Sequence, residues 1–264
     1  MTVYVAAPQT CLIGRPGGAP GFVRYTHILM RALVLSGGGL FGAWQAGAWS
    51  VLSGHYSPDL VVGCSIGSVN GYLIASGISG EELLELWRHP GYSDLRRLPE
   101  HLEAMCARYR PRTKLAVTVT DLFRMKPVVY RDEEITARHL AASCAVPLLM
   151  PQVKLDGRWM TDGGLLNPLP VYAAVEAGAT DIVGLQVLEK FPSPILRPFS
   201  VMFAKTMGHH PQPPASVSLR TMKPSAPLGN LTTTIHWDRE TIERWIQLGQ
   251  QDARKIVTKK SFSF

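Results

Sequence analysis

Two stretches of the chain follow one plan. Arg31 to Ser36 (RALVLS) is a short apolar run that stops at Gly37, Gly38 and Gly39, after which Leu40, Phe41, Trp44, Ala48 and Val51 recur at the spacing of one helical face. Asp59 to Ser76 repeats it: Leu60-Val61-Val62 runs into Gly63-Cys64-Ser65-Ile66-Gly67, and Val69, Tyr72 and Leu73 follow at helical spacing. A short apolar run bounded by glycines reads as a buried strand, and the three-and-four period as a helix. Two consecutive strand, loop, helix units predict an α/β fold with a mostly parallel central sheet, its chemistry at the carboxyl ends of the strands.

The rest of the pattern extends this sheet. Ser79 opens a helix in which Glu81, Glu82 and Glu85 alternate with Leu83, Leu84, Leu86 and Trp87. A basic, broken region to Lys114 reads either as a solvated helical subregion or as a membrane-facing lid. Leu115 to Thr120 is a strand by its β-branched content, with Val128 to Tyr130 as a pairing partner. A helix over Ile135 to Ser143 is broken at Pro147. Gln152 to Gly164 predicts a hairpin turning at Asp156-Gly157, whose second strand carries Asp162 to its end. A helix over Pro170 to Gly178 and a strand over Asp181 to Val187 follow.

Phe191 to Asn230 contains eight prolines and reads as an irregular insertion poorly suited to supplying a sheet strand. Leu231 to Trp237 is the expected final strand. Asp238 caps a last helix with Ile242, Trp245, Ile246 and Leu248 on its apolar face, and the tail from Thr258 is expected to fray. The domain plan is a loosely ordered leader over 1–30 and a single domain over 31–264, interrupted by 191–230.

Composition narrows the class. Of 264 residues, 46% are hydrophobic and 18% charged, which is globular. No apolar run reaches the roughly 18 residues of a membrane span. The N-terminus lacks the basic start and apolar centre of a secretory signal. Cys11, Cys64, Cys106 and Cys144 have neither paired nor metal-like spacing, so reduced thiols in a cytoplasmic setting are expected, with no metal and no cofactor. A net charge of +7 suits nucleic acid, an anionic lipid surface or plain solubility, and does not choose among them.

The chemistry concentrates on the second unit. A serine between two close glycines, after a strand and before a helix, has the setting of a nucleophile elbow, which makes Ser65 the candidate nucleophile. Gly37, Gly38 and Gly39 present backbone N–H groups at a helix start, where a developing oxyanion would be stabilised. Gly37, Gly39 and Gly42 also fit the dinucleotide fingerprint, but that site wants an acid at the end of the second strand, and Gly63-Cys64-Ser65 stands there. For the base, Asp162 is followed by two glycines that let the chain turn into a pocket. His236 follows in the order Ser, Asp, His of an ordinary α/β-hydrolase triad.

Four ordered segments together resemble the patatin-like phospholipases: Ser36-Gly37-Gly38-Gly39-Leu40-Phe41-Gly42, Gly63-Cys64-Ser65-Ile66-Gly67, the run AASCAVPLLMPQV, and Asp162-Gly163-Gly164-Leu165-Leu166-Asn167-Pro168-Leu169-Pro170. The likeness extends from Arg31 to Gln186. It implies a patatin-like three-layer α/β fold and a Ser/Asp dyad without histidine. Ser65 would be the nucleophile, Asp162 the base and Gly37 to Gly39 the oxyanion donors. The implied substrate is a lipid or other acyl ester, met by a peripheral protein at a membrane surface; no nucleic-acid partner is expected. Family members usually carry Arg or Lys where this chain has Phe41. That departure motivates the alternative of a catalytically silent lipid-binding or partner-binding module.

Overall fold

The computed structural model describes residues 29–89, 97–188, 213–230, 233 and 235–258. Its spine is an eight-stranded sheet. Strands β1 (Arg31–Leu35), β2 (Leu60–Cys64), β3 (Lys114–Asp121), β7 (Asp181–Leu185) and β8 (Ser218–Met222) run parallel in the order β3-β2-β1-β7-β8. The antiparallel strands β4 (Lys126–Arg131), β5 (Val153–Leu155) and β6 (Arg158–Asp162) gather at the β3 end. β2 and β7 are buried along their whole length, as expected of strands covered on both faces.

Helices cover both faces. On one lie α1 (Gly42–Leu52), α2 (Ile66–Ala75), α3 (Gly80–Arg88), α4 (Leu98–Arg108), α5 (Ala137–Ser143) and α7 (Arg239–Val257), sharing a core with Leu33, Leu35, Val61, Leu115 and Val117. On the other, α6 (Val171–Glu176) packs Ala173 and Ala174 on Ala32, Val34, Val62 and Ile182. The arrangement is the three-layer α/β fold expected from the repeated plan. α1 differs in detail, since nearly its whole circumference is buried and not one face alone. Its small residues allow this: at Gly47 an added Cβ would stand 2.1 Å from the Ile246 carbonyl oxygen of α7.

Two expectations are corrected. The Pro-rich segment does supply a sheet strand, since β8 pairs with β7 from Asp181↔Ser218 to Leu185↔Met222. Its central Arg220 is buried against the Asp181 carboxylate, so a charged residue fits an inner position through an ion pair. The proline-free run Ala215 to Lys223 is long enough for one edge strand despite its surroundings. Leu231 to Trp237 is not the last strand. Ile235 to Trp237 lie in turn and irregular backbone, with 231, 232 and 234 outside the described residues. Asn230 and Thr233 exchange side-chain to backbone hydrogen bonds at 2.9 and 3.2 Å, which bend the chain locally instead of leaving it extended.

The basic region includes a helix with an exposed charged face. α4 buries Leu102, Met105 and Cys106, and Arg110, Arg112 and Lys114 border a cavity at the amino end of β3. Because β2 and β3 are parallel, that is the end away from Ser65, so this part of the region is no lid over the serine. Residues 1–28 of the expected leader over 1–30, residues 90–96, most of the Pro-rich stretch over 191–230 and the tail beyond Thr258 lie outside the described residues.

Candidate active site

β2 and β6 meet head to head along one edge of β3. Cys64 of β2 pairs with Thr118, and Asp162 of β6 pairs with the next residue, Val119, from the opposite direction. The residue following β2 and the last residue of β6 therefore converge, although they are almost a hundred positions apart in sequence. They are Ser65 and Asp162.

Ser65 has φ +53, a left-handed backbone that costs a residue with a Cβ roughly 1–3 kcal/mol. Its glycine neighbours make the turn feasible. A Cβ on Gly63 would stand 2.4 Å from the Gly67 carbonyl oxygen, and one on Gly67 2.4 Å from that of Leu35. The strain is held in place by hydrogen bonds: the Ser65 N–H donates to Ser143 Oγ at 2.8 Å, and Ser143 Oγ donates to the Thr118 carbonyl at 2.8 Å. Ser143→Ala would leave a buried amide and a buried carbonyl short of a partner, destabilising by about 1–3 kcal/mol. On the reading of Ser65 as nucleophile, kcat for a soluble ester is expected to fall about tenfold with KM little changed, as measured by steady-state kinetics, because the elbow loosens without touching the substrate.

Asp162 is buried, and desolvation raises its pKa from 3.8 to about 6. Two hydrogen-bonding neighbours, the Ser65 hydroxyl and the Gly164 N–H at 2.7 Å, pull the other way. Burial also pushes the Cys64 and Cys144 thiols up, so the sulfurs nearest this carboxylate stay neutral. Among these buried neutral groups the carboxyl gains little from solvation, and the Ser65 hydroxyl is one of its hydrogen-bonding neighbours.

The glycine loop lies beside the serine, since a Cβ on Gly37 would come within 3.1 Å of Ser65 Cβ. Gly37 departs from the expected donor role: its N–H donates to the Pro168 carbonyl at 3.0 Å. Among the described residues, no backbone partner takes the amides of Gly38 and Gly39. Gly39 has φ +54, and a Cβ on Gly38 would strike Val187 Cγ2 at 2.4 Å, so both positions need glycine.

A buried polar network that the sequence reading did not single out holds the loop. Gln45 Nε2 donates to the carbonyls of Ser36 at 2.8 Å and Leu185 at 3.3 Å. Asn70 Nδ2 donates to the Gly42 carbonyl at 3.0 Å and to Gln45 Oε1 at 3.1 Å, and Asn70 Oδ1 accepts from Trp87 Nε1 at 3.0 Å. Both ends of the loop are thus tied to β7, α2 and α3. Its sequence signal was a lone amide inside each of two apolar helices.

Phe41 is buried within the core, edge-on to Trp245 of α7 with centroids 5.1 Å apart. A cation there would be desolvated against an indole, whereas the phenyl ring gains an aromatic contact worth about 1 kcal/mol. His236 is exposed, unlike Ser65 and Asp162. No group of three or more His, Cys, Asp or Glu side chains able to hold a metal occurs among the described residues.

A strained serine on a strand-to-helix turn, a buried carboxyl facing it and a glycine loop lie together at the switch point of a parallel sheet, where open α/β proteins carry their sites. A family model described as patatin-like phospholipase matches residues 33–129 and 109–175, more than half of the chain. The chain belongs to the patatin-like phospholipase family, a family of lipid acyl hydrolases.

Among solved structures, VipD from Legionella pneumophila is similar with a TM-score of 0.53 at 13% identity, over 86% of this chain and 66% of that one. The type III effector protein ExoU gives 0.42 at 12% identity, over 86% of this chain and 52% of that one. ExoU of Pseudomonas aeruginosa solved in complex with SpcU gives 0.35 at 15% identity, over 88% of this chain and 53% of that one. The chain thus spans under two thirds of the length of each. The VipD likeness speaks to the fold alone.

Proposed function

We propose that the chain hydrolyses fatty acyl esters of lipids through an acyl-serine intermediate, with Ser65 as nucleophile and Asp162 as its base. The observation that carries this is the head-to-head meeting of β2 and β6, which sets the Ser65 hydroxyl against a buried carboxylate. Asp162 takes the hydroxyl proton as Ser65 Oγ bonds to the ester carbonyl carbon. The negative charge moves to the carbonyl oxygen, and we assign the Gly38 and Gly39 amides as its donors. Collapse expels the alcohol, which leaves with the proton from Asp162. Water then loses a proton to Asp162 and attacks the acyl-serine, and Ser65 recovers its proton as the fatty acid departs.

This assignment needs no histidine. A fluorophosphonate probe tests it, because only an activated serine is phosphonylated. Wild type is expected to label at Ser65, found by mass spectrometry of the digest, and Ser65→Ala to lose the label. Equal labelling of both would refute the nucleophile, and an unlabelled wild type would favour the silent-module alternative that Phe41 suggested.

A further inference from the structure

Four large apolar side chains that the reaction does not use stand exposed. Phe123, Leu148, Leu149 and Trp159 are 77%, 83%, 51% and 43% exposed. All four belong to segments joined to β6, the strand that ends in Asp162. Trp159 lies on it, and its carbonyl accepts the Leu122 N–H at 2.9 Å, fixing the turn that carries Phe123. The Ala145 carbonyl accepts the Asp162 N–H at 3.0 Å, anchoring the loop that presents Leu148 and Leu149.

Leu148 has φ +70, a backbone unfavourable to any residue with a Cβ, yet its side chain gains no burial in return. Strain retained without a packing return points to a role outside the fold. The same segments carry Arg124, Lys126 and Lys154, all exposed, and half-buried Arg158. Two carboxylates stand among them. Asp121 is buried and within 3.9 Å of Arg124 and 3.5 Å of Arg158, and Asp156 accepts from the Tyr130 hydroxyl at 2.8 Å. The surface is therefore apolar at its tips and cationic around them.

We propose that this surface docks the protein on an anionic lipid bilayer. Phe123, Leu148, Leu149 and Trp159 enter the boundary between headgroups and acyl chains, and Arg124, Lys126, Lys154 and Arg158 meet lipid phosphates. Separate apolar loop tips ringed by cations suit a soft, anionic interface better than they suit a rigid partner, which would need a continuous complementary face. The inference rests on the lipid-hydrolase reading and adds where that substrate is met: at a membrane, with β6 and Asp162 next to it.

The test is co-sedimentation of the full chain carrying Ser65→Ala, which leaves lipid intact, with vesicles of phosphatidylcholine alone or mixed with phosphatidylglycerol. Binding is expected to be about tenfold tighter to the mixed vesicles and to weaken with salt. Phe123→Ser with Leu148→Ser should lower it by about tenfold or more. Arg124→Glu with Lys154→Glu should abolish the preference for phosphatidylglycerol. Introduced with Ser65 intact, both pairs should keep wild-type hydrolysis of a soluble nitrophenyl ester, which also reports that they fold. Vesicle binding that is absent, or unchanged by both pairs, overturns the proposal. So does a pair that lowers soluble-ester hydrolysis while vesicle binding persists, because those side chains would then belong to the substrate site. A wild type that binds vesicles as described but hydrolyses no ester would refute the catalytic reading and support the docking surface.

Discussion

Asp162→Asn is expected to lower kcat/KM for a nitrophenyl ester by about 10³-fold, within the range for loss of a general base, while making the folded protein more stable at pH 8. The two effects share one cause. Burial raises the Asp162 pKa from 3.8 to about 6, so ionising this carboxyl is harder in the folded protein than in the unfolded chain. For an acid shifted upward, the unfolded state gives up its proton first. The cost to folding is absent below about pH 4, grows between about pH 4 and 6, and is complete above that, where it amounts to about 3 kcal/mol. Asparagine removes the charge and keeps an oxygen for the Gly164 N–H, so the variant escapes this cost. Thermal melts at pH 8 should show a higher midpoint for Asp162→Asn, with the gap closing toward pH 4. In wild type, kcat/KM should rise with pH through about 6 as the base ionises. An active Asp162→Asn paired with an inactive His236→Ala would transfer the base to His236, and a flat profile across that range would remove Asp162 from the role.

Gly249→Ala is expected to destabilise the protein by about 3 kcal/mol, the upper part of the range for overpacking, although alanine forms helix better than glycine by about 1 kcal/mol. α1 and α7 cross in backbone contact. A Cβ on Gly249 would stand 2.2 Å from the Trp44 carbonyl oxygen, and backbone atoms cannot rotate away as a side chain can. Trp44 is tied to the same helix, its Nε1 donating to Asp252 Oδ2 at 3.0 Å. Separating the helices also withdraws Trp245 from Phe41, which stands in the glycine loop's own short helix. Activity should therefore fall at temperatures below the shifted midpoint. Denaturant titration measures the stability change, and Gly54→Ala is the control, since its Cβ would meet only the Val51 carbonyl oxygen at 3.8 Å. Equal midpoints for the two variants would mean that the crossing is not tight.

Much of the site was readable because its parts are local. The elbow needs small residues on either side of Ser65, the loop needs glycine at Gly38 and Gly39, and a hairpin turning at Asp156-Gly157 delivers Asp162 at its end. The structure has φ +50 and +76 at those two turn residues, as such a turn demands. Each requirement is set by sterics within a few residues, so each left a pattern in sequence. β8 was missed because its five residues stand among prolines, and an edge strand needs support from one neighbour only. The Gly37 amide was assigned to the oxyanion because nothing local shows that the Pro168 carbonyl, far along the chain, would take it.

The amino-acid order by itself determined the alternating layers, the strained serine and the glycine and aspartate motifs, because backbone sterics and hydrophobic period act over short stretches. Only the tertiary structure decided that β6 meets β2 end to end on β3, that Phe41 turns inward to Trp245, and that the Gly37 amide is taken by the Pro168 carbonyl. Those outcomes depend on strand pairing and on competition for hydrogen bonds between distant segments, and neither is written in any one stretch of the chain.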